Sequence, residues 1–147
     1  MRLLHTVTLS VFVKPEENSE SIEKAFTSLL PLDLAEEKLK LNKTTAQGFE
    51  GKNIVILTLF LQKHRHIRAF IEHLNTKLDD ETKAKLRTQE NRLDEEQNFF
   101  LRLDKEALLD GKYVITDGGT CIHCRLNIAA FPKTREAAWQ VVQQLFP

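Results

Sequence analysis

Leu3-Leu4-His5-Thr6-Val7-Thr8-Leu9-Ser10-Val11-Phe12-Val13 alternates with a period of two. Val7, Leu9, Val11 and Val13 fall on one side, and Thr6, Thr8, Ser10 and Phe12 on the other. Successive side chains of a strand point to opposite faces, so this pattern predicts a strand packed on one side only. Lys14-Pro15 ends it. Asn18 or Ser19 then caps a helix whose stripe is Ile22, Ala25, Phe26, Leu29 and Leu30, and Pro31 stops it.

Further along, residues 37–45 read as a weaker strand with Leu39 and Leu41 inward, and residues 47–52 as a glycine turn. Residues 53–62 are apolar on both sides, which predicts a strand well inside the sheet. A second helix is expected over residues 64–78, with Ile67, Phe70, Ile71, Leu74 and Leu78 as its stripe. Residues 79–97 are highly charged and read either as a short solvated helix or as a mobile connection. Residues 98–103 form a strand, followed by a turn or helical hook over 104–109. Residues 112–116 are expected to pair with residues 120–131 through the turn Asp117-Gly118-Gly119. A last helix covers residues 133–146. Hairpins dominate and βαβ repetition is absent. The expected fold is α+β, a mainly antiparallel sheet with helices on one face, in a single domain spanning residues 1–147.

Composition narrows the class. Twenty-one Lys plus Arg balance twenty-one Asp plus Glu among 147 residues, so net charge selects no partner. Local charge does vary: Lys52, Lys63, Arg65, Arg68 and Lys77 face only Glu72 between residues 52 and 77. A neutral total can therefore hide a basic face. The longest apolar run, residues 54–61, is far below the ~20 residues needed to span a bilayer. The N-terminus lacks the apolar block of a signal peptide, and a cytoplasmic protein is expected.

The chemistry-bearing motifs argue against catalysis. Cys121-Ile122-His123-Cys124 lies on an expected strand, where residues three apart diverge, and no second Cys/His pair completes a zinc set. Cys124 is then core and Cys121 sits on the other side. The serines occupy no nucleophile elbow. Gly48-Phe49-Glu50-Gly51 lacks the Lys-Ser/Thr ending of a phosphate loop. No enzyme activity, cofactor or metal is expected.

Two surfaces suit binding. Lys63-His64-Arg65-His66, with Arg68 and His73, reads as a phosphate-contacting helix start or as a solvated face. The outward side of the sheet would gather Thr6, Thr8 and Ser10 with Phe100, Arg102, His123, Arg125 and Asn127. Hydroxyls, cations, an amide and a ring suit phosphate, sugar and unstacked bases; the alternative is an ordinary solvated face.

Three segments also carry a resemblance: residues 4–13, the turn Gly48-Phe49-Glu50-Gly51-Lys52-Asn53-Ile54, and Phe100-Leu101-Arg102-Leu103-Asp104-Lys105-Glu106-Ala107. They are similar to the opening strand, the Gly-x-x-Gly-Asn-Pro-Ile turn and the Arg-Leu-Asp-Lys-Gln-Ala motif of a small archaeal family. Its members are described as RNA-binding and exosome-associated, with a fold like that of ribosomal protein L5. Departures are Lys14-Pro15-Glu16-Glu17 after the first strand, the inserted Lys52, and Glu106 in place of glutamine.

The resemblance implies a non-catalytic module that recognises structured RNA through phosphate and shape. The expected contacts are Lys52, Lys63, Arg65, Arg68, Arg102, Lys105 and Arg125. Asp104 could instead pair with Arg102 or Lys105, or cap the hook, which would make that motif structural. The alternative function is a protein-interaction adaptor or subunit of an RNA-processing complex, homodimeric in one version, with no direct RNA contact.

Overall fold

Val7, Leu9 and Val11 are fully buried, as the alternation of the first strand requires. The structure is a computed structural model that describes residues 2–48 and 51–147. The strand β1 (Leu4–Val13) pairs antiparallel with β3 (Asn53–Leu61) on one side and with β5 (Cys121–Ile128) on the other. β2 (Asn42–Gln47) extends the sheet beyond β3, and β4 (Asn98–Asp104) extends it beyond β5. The order is β2-β3-β1-β5-β4, antiparallel throughout. The fold is α+β, with a five-stranded antiparallel sheet and a helical layer.

The packed side of the sheet carries Leu57, Leu59 and Leu61 from β3, Ile122, Cys124 and Leu126 from β5, and Leu101 and Leu103 from β4. Each fully buried side chain of this kind contributes about 1.5–3 kcal/mol. Helix α1 (Ser19–Thr27) adds Ile22 and Phe26, and α2 (His64–Lys77) adds Ile67, Phe70 and Leu74. After the short α3 (Asp80–Leu86) and α4 (Lys105–Leu109), helix α5 (Arg135–Leu145) adds Ala138, Val142 and Leu145. Phe99 and Phe146 meet inside this layer with ring centroids 6.0 Å apart.

Side-chain caps fix the helix starts. Asn18, Asp79, Asp104 and Thr134 accept from the backbone N–H of Ser21, Thr82, Ala107 and Ala137. The Asp79 carboxyl is held below its ordinary value chiefly by the hydroxyl and amide of Thr82.

Several expectations need correction. Residues 112–116 do not pair with β5, whose two edges are already taken by β1 and β4. They run instead along the outer edge of β4, where the amide of Asp104 donates to Val114 at 2.8 Å and that of Thr116 to Arg102 at 2.9 Å. Of the two readings of residues 79–97 the short helix holds: α3 and a 3-10 turn at Glu90–Arg92 anchor through buried Leu86 and Leu93. The second strand begins at Asn42 rather than residue 37, because Lys38 takes a left-handed φ of 56° in a preceding turn. Leu39 and Leu41 nonetheless pack partly against the core. Within the expected glycine turn, Phe49 and Glu50 lie outside the described residues. Beyond it, β3 is an interior strand covered on one face only.

Candidate nucleic-acid interface

The side of the sheet opposite the helices remains open, and strand registry decides what it displays. One cross-strand row runs Phe100, Arg125, Thr8, Phe60 over β4, β5, β1 and β3. The next row runs Arg102, His123, Ser10, Thr58, Asn42 and reaches β2. Beyond it, a row runs Phe12, Ile56, Thr44 over β1, β3 and β2. At ~4.8 Å per strand, the row from Phe100 to Phe60 spans about 14 Å. The rings of Phe12, Phe60 and Phe100 are 46%, 44% and 41% exposed. Large apolar side chains are costly to leave in water on a solvated strand face, so this triplet is informative.

Two guanidiniums lie among the rings. Arg125 Nη2 donates to the Thr8 hydroxyl at 3.4 Å, and Arg102 Nη1 donates to the Asp117 carbonyl oxygen at 3.1 Å. Among the described residues neither forms an ion pair with a carboxylate. A depression of about 440 Å³ is lined by Thr8, Phe12, Phe100, Arg102, His123 and Arg125. The His123 ring lies 6.0 Å from that of Phe12. Burial, and then the charge of Arg102, push its pKa below the ordinary 6.5, so the ring is neutral at neutral pH. Cys121 Sγ sits 3.6 Å from His123 Nε2, while Cys124 faces the core, so the two thiols diverge. Among the described residues no group of three or more His, Cys, Asp or Glu side chains is placed to hold a metal ion.

The other sequence candidates are dispersed. Lys105 is 4% exposed, and its ammonium donates to the Phe12 carbonyl at 2.7 Å and to Glu17 at 3.1 and 3.2 Å. Its charge is engaged inside the protein, away from solvent. Asp104 takes the capping role, so the hook is built by Asp104 and Lys105, while Arg102 is exposed on the open face beside Phe100. Arg65 donates to Glu37 at 2.8 Å and Arg68 to Glu72 at 2.9 Å, both on the helical layer. His66 is buried beneath Arg65 and shares Glu37 with it at 2.9 Å. Lys63 lies at the margin of the open face, around a depression of about 260 Å³ that also touches Phe60, Lys38 and Lys40. Lys52 is exposed in the β2–β3 connection.

Sequence reasoning therefore brought together Arg102 and Arg125 but passed over Phe12 and Phe60 as site residues. The signal for Phe60 was its parity with Thr58, hidden because residues 54–61 are apolar throughout.

A family model matches most of the chain. A model described as RNA binding covers residues 6–128, from Thr6 in β1 to the end of β5. The chain belongs to this RNA-binding family. It is 26% identical over 141 residues to the RNA-binding protein PAB1135 of Pyrococcus abyssi, covering 95% of this chain and 92% of that one. It is also 26% identical over 136 residues to the uncharacterized protein MJ0213 of Methanocaldococcus jannaschii, covering 91% of each. Mth689 of Methanothermobacter thermautotrophicus, a DUF54 protein, superposes with a TM-score of 0.79 at 26% identity, covering 99% of both chains. Among the described residues no helix is long and apolar enough to cross a membrane.

Proposed function

We propose that this chain is a non-catalytic RNA-binding module whose contact surface is the open face of the sheet. The observation that carries the reading is the pair of guanidiniums, Arg102 and Arg125, which have no carboxylate partner among the described residues and stand on the open face of a family member. Planar, always-charged guanidinium groups bind phosphate bidentately. Lys63 and Lys52 extend the positive margin, whereas Arg65 and Arg68 are neutralised on the helical layer. Lys105 supports the face from beneath by holding the Phe12 backbone.

Structured RNA is the proposed target, read through phosphate and shape. Association with RNA-processing machinery such as the exosome, and kinship with ribosomal protein L5, rest on the sequence resemblance alone. They complete the reading.

The test is binding of the purified protein to an RNA hairpin across a salt series. Each neutralised phosphate releases counterions, so affinity should fall steeply as salt rises. Salt-insensitive binding would contradict the reading, as would no binding at low salt.

A second reading is a protein-interaction subunit or homodimer. It is favoured by Phe131, 99% exposed in the β5–α5 connection, and by the outer edge of β2, which pairs with no strand among the described residues. Unpaired edges and isolated large apolar groups both invite partners. A partner recovered after nuclease treatment would favour it.

A further inference from the structure

We infer that the open face takes unpaired nucleotides, stacking their bases on Phe12, Phe60 and Phe100 while Arg102 and Arg125 hold the phosphates between them. This deepens the proposed function and rests on the same face. Phe100 and Phe60 share one row three strands apart, about 14 Å, and Phe12 lies four residues along β1 from Thr8, about 13 Å further along the strands. Stacked bases in a helix rise about 3.4 Å each. Three rings this far apart cannot continue one base stack. They can receive bases splayed from one another, as occurs in loops, bulges and single strands.

Charge and shape point the same way. The cations occupy the intervals between the rings: Arg125 is in the Phe100–Phe60 row, and Arg102 is in the row between it and Phe12. A backbone crossing from Phe100 to either of the other rings would pass a guanidinium, while Thr58 and Ser10 lie between Phe60 and Phe12. Thr8, Ser10, Thr58 and Asn42 fill the remaining positions with short polar groups that suit ribose hydroxyls. The neutral His123 ring lies beside Phe12, 6.0 Å away and tilted to it, without adding charge. An intact duplex would keep its bases paired and leave all three rings unused. Stacking is tolerant of base identity, so little sequence preference is expected.

The closing experiment uses fluorescence anisotropy with a labelled, non-pairing oligoribonucleotide of about twelve mixed-sequence nucleotides, a span chosen to cross a single protein face. The second probe is the same strand annealed to its complement. The protein, a Phe12→Ala/Phe60→Ala/Phe100→Ala variant, and single-ring variants are compared, each with its fold checked by circular dichroism. The unpaired strand should bind at least ~10-fold tighter than the duplex at equal salt, and the triple variant should lose at least ~10-fold of that affinity with its salt slope kept. Equal affinity for both probes, or a triple variant that binds the unpaired strand unchanged, would overturn the inference and leave the proposed RNA function standing. Absence of binding to both probes and to the hairpin would overturn the two together. If the rings instead support a dimer that the triple variant dissolves without loss of RNA affinity, the face belongs to a second copy and the inference is wrong.

Discussion

The Lys105 ammonium donates to the carbonyl oxygen of Phe12 at 2.7 Å, joining residues 93 positions apart. It ties the start of α4, directly after the open-face Arg102 strand, to the end of β1. Glu17 completes the contact and balances the charge. A residue that reads in sequence as a surface cation is thus an internal clamp, and the ring of Phe12 keeps its place above it.

Lys105→Met should destabilise the protein by about 2–3 kcal/mol, because it leaves Glu17 half-enclosed without its counter-charge. Urea unfolding would measure the loss. A double-mutant cycle with Glu17→Gln should show a coupling of about 1 kcal/mol or more. Additive effects would mean that the two side chains do not act as a pair.

The same contact sets an acid limb. Burial raises the Glu17 pKa, but the Lys14 amide and the Lys105 ammonium outweigh it and hold the carboxyl below its ordinary 4.5. A depressed carboxyl pKa means that the unfolded chain takes up the proton first. Glu17 therefore stabilises the fold above about pH 4.5, and that contribution is lost as the pH falls through the lower folded value. Glu17→Gln should be less stable than the parent at pH 7, with the gap narrowing towards pH 3. A gap independent of pH would exclude this origin.

Phe99 and Phe100 are neighbours with opposite fates, one buried against Phe146 and one on the open face. Phe99→Ala should cost about 3–5 kcal/mol in a chemical denaturation curve. Phe100→Ala should cost less than about 1 kcal/mol, in keeping with a half-exposed ring, while weakening RNA affinity. The reverse ranking would place the wrong side of β4 against the core.

Asp104→Ala should cost about 1 kcal/mol through loss of the α4 cap. Asp104→Asn should recover most of it, since an amide oxygen also caps. Amide exchange at Ala107 reads the effect locally and should speed up in the alanine variant. Unchanged exchange would show that the cap does not hold the hook.

Much of this was legible from particular residues. The alternation around Val7, Leu9 and Val11 states which side of β1 is packed, and Asn18 marks the start of α1. The Asp117-Gly118-Gly119 segment signals a reversal but not a partner. Pairing depends on which strand edges are free, and β5 had none left for residues 112–116. The Lys105 clamp depends on Phe12 and Glu17, contacts that no local pattern encodes. Phe60 was masked because a run of apolar residues gives no parity signal. Leu86 and Leu93 were too sparse to reveal that a charged segment is anchored.

The most direct measurement compares two charge-matched double variants against the same RNA hairpin at low salt. Arg102→Ala/Arg125→Ala removes the cations of the open face, and Arg65→Ala/Arg68→Ala removes the same charge from the helical layer. The account expects the first pair to lose about 10-fold or more in affinity with a shallower salt slope, and the second to bind within about 2-fold of the parent. Loss of binding in the helical-layer variant, with the open-face variant unaffected, would contradict it.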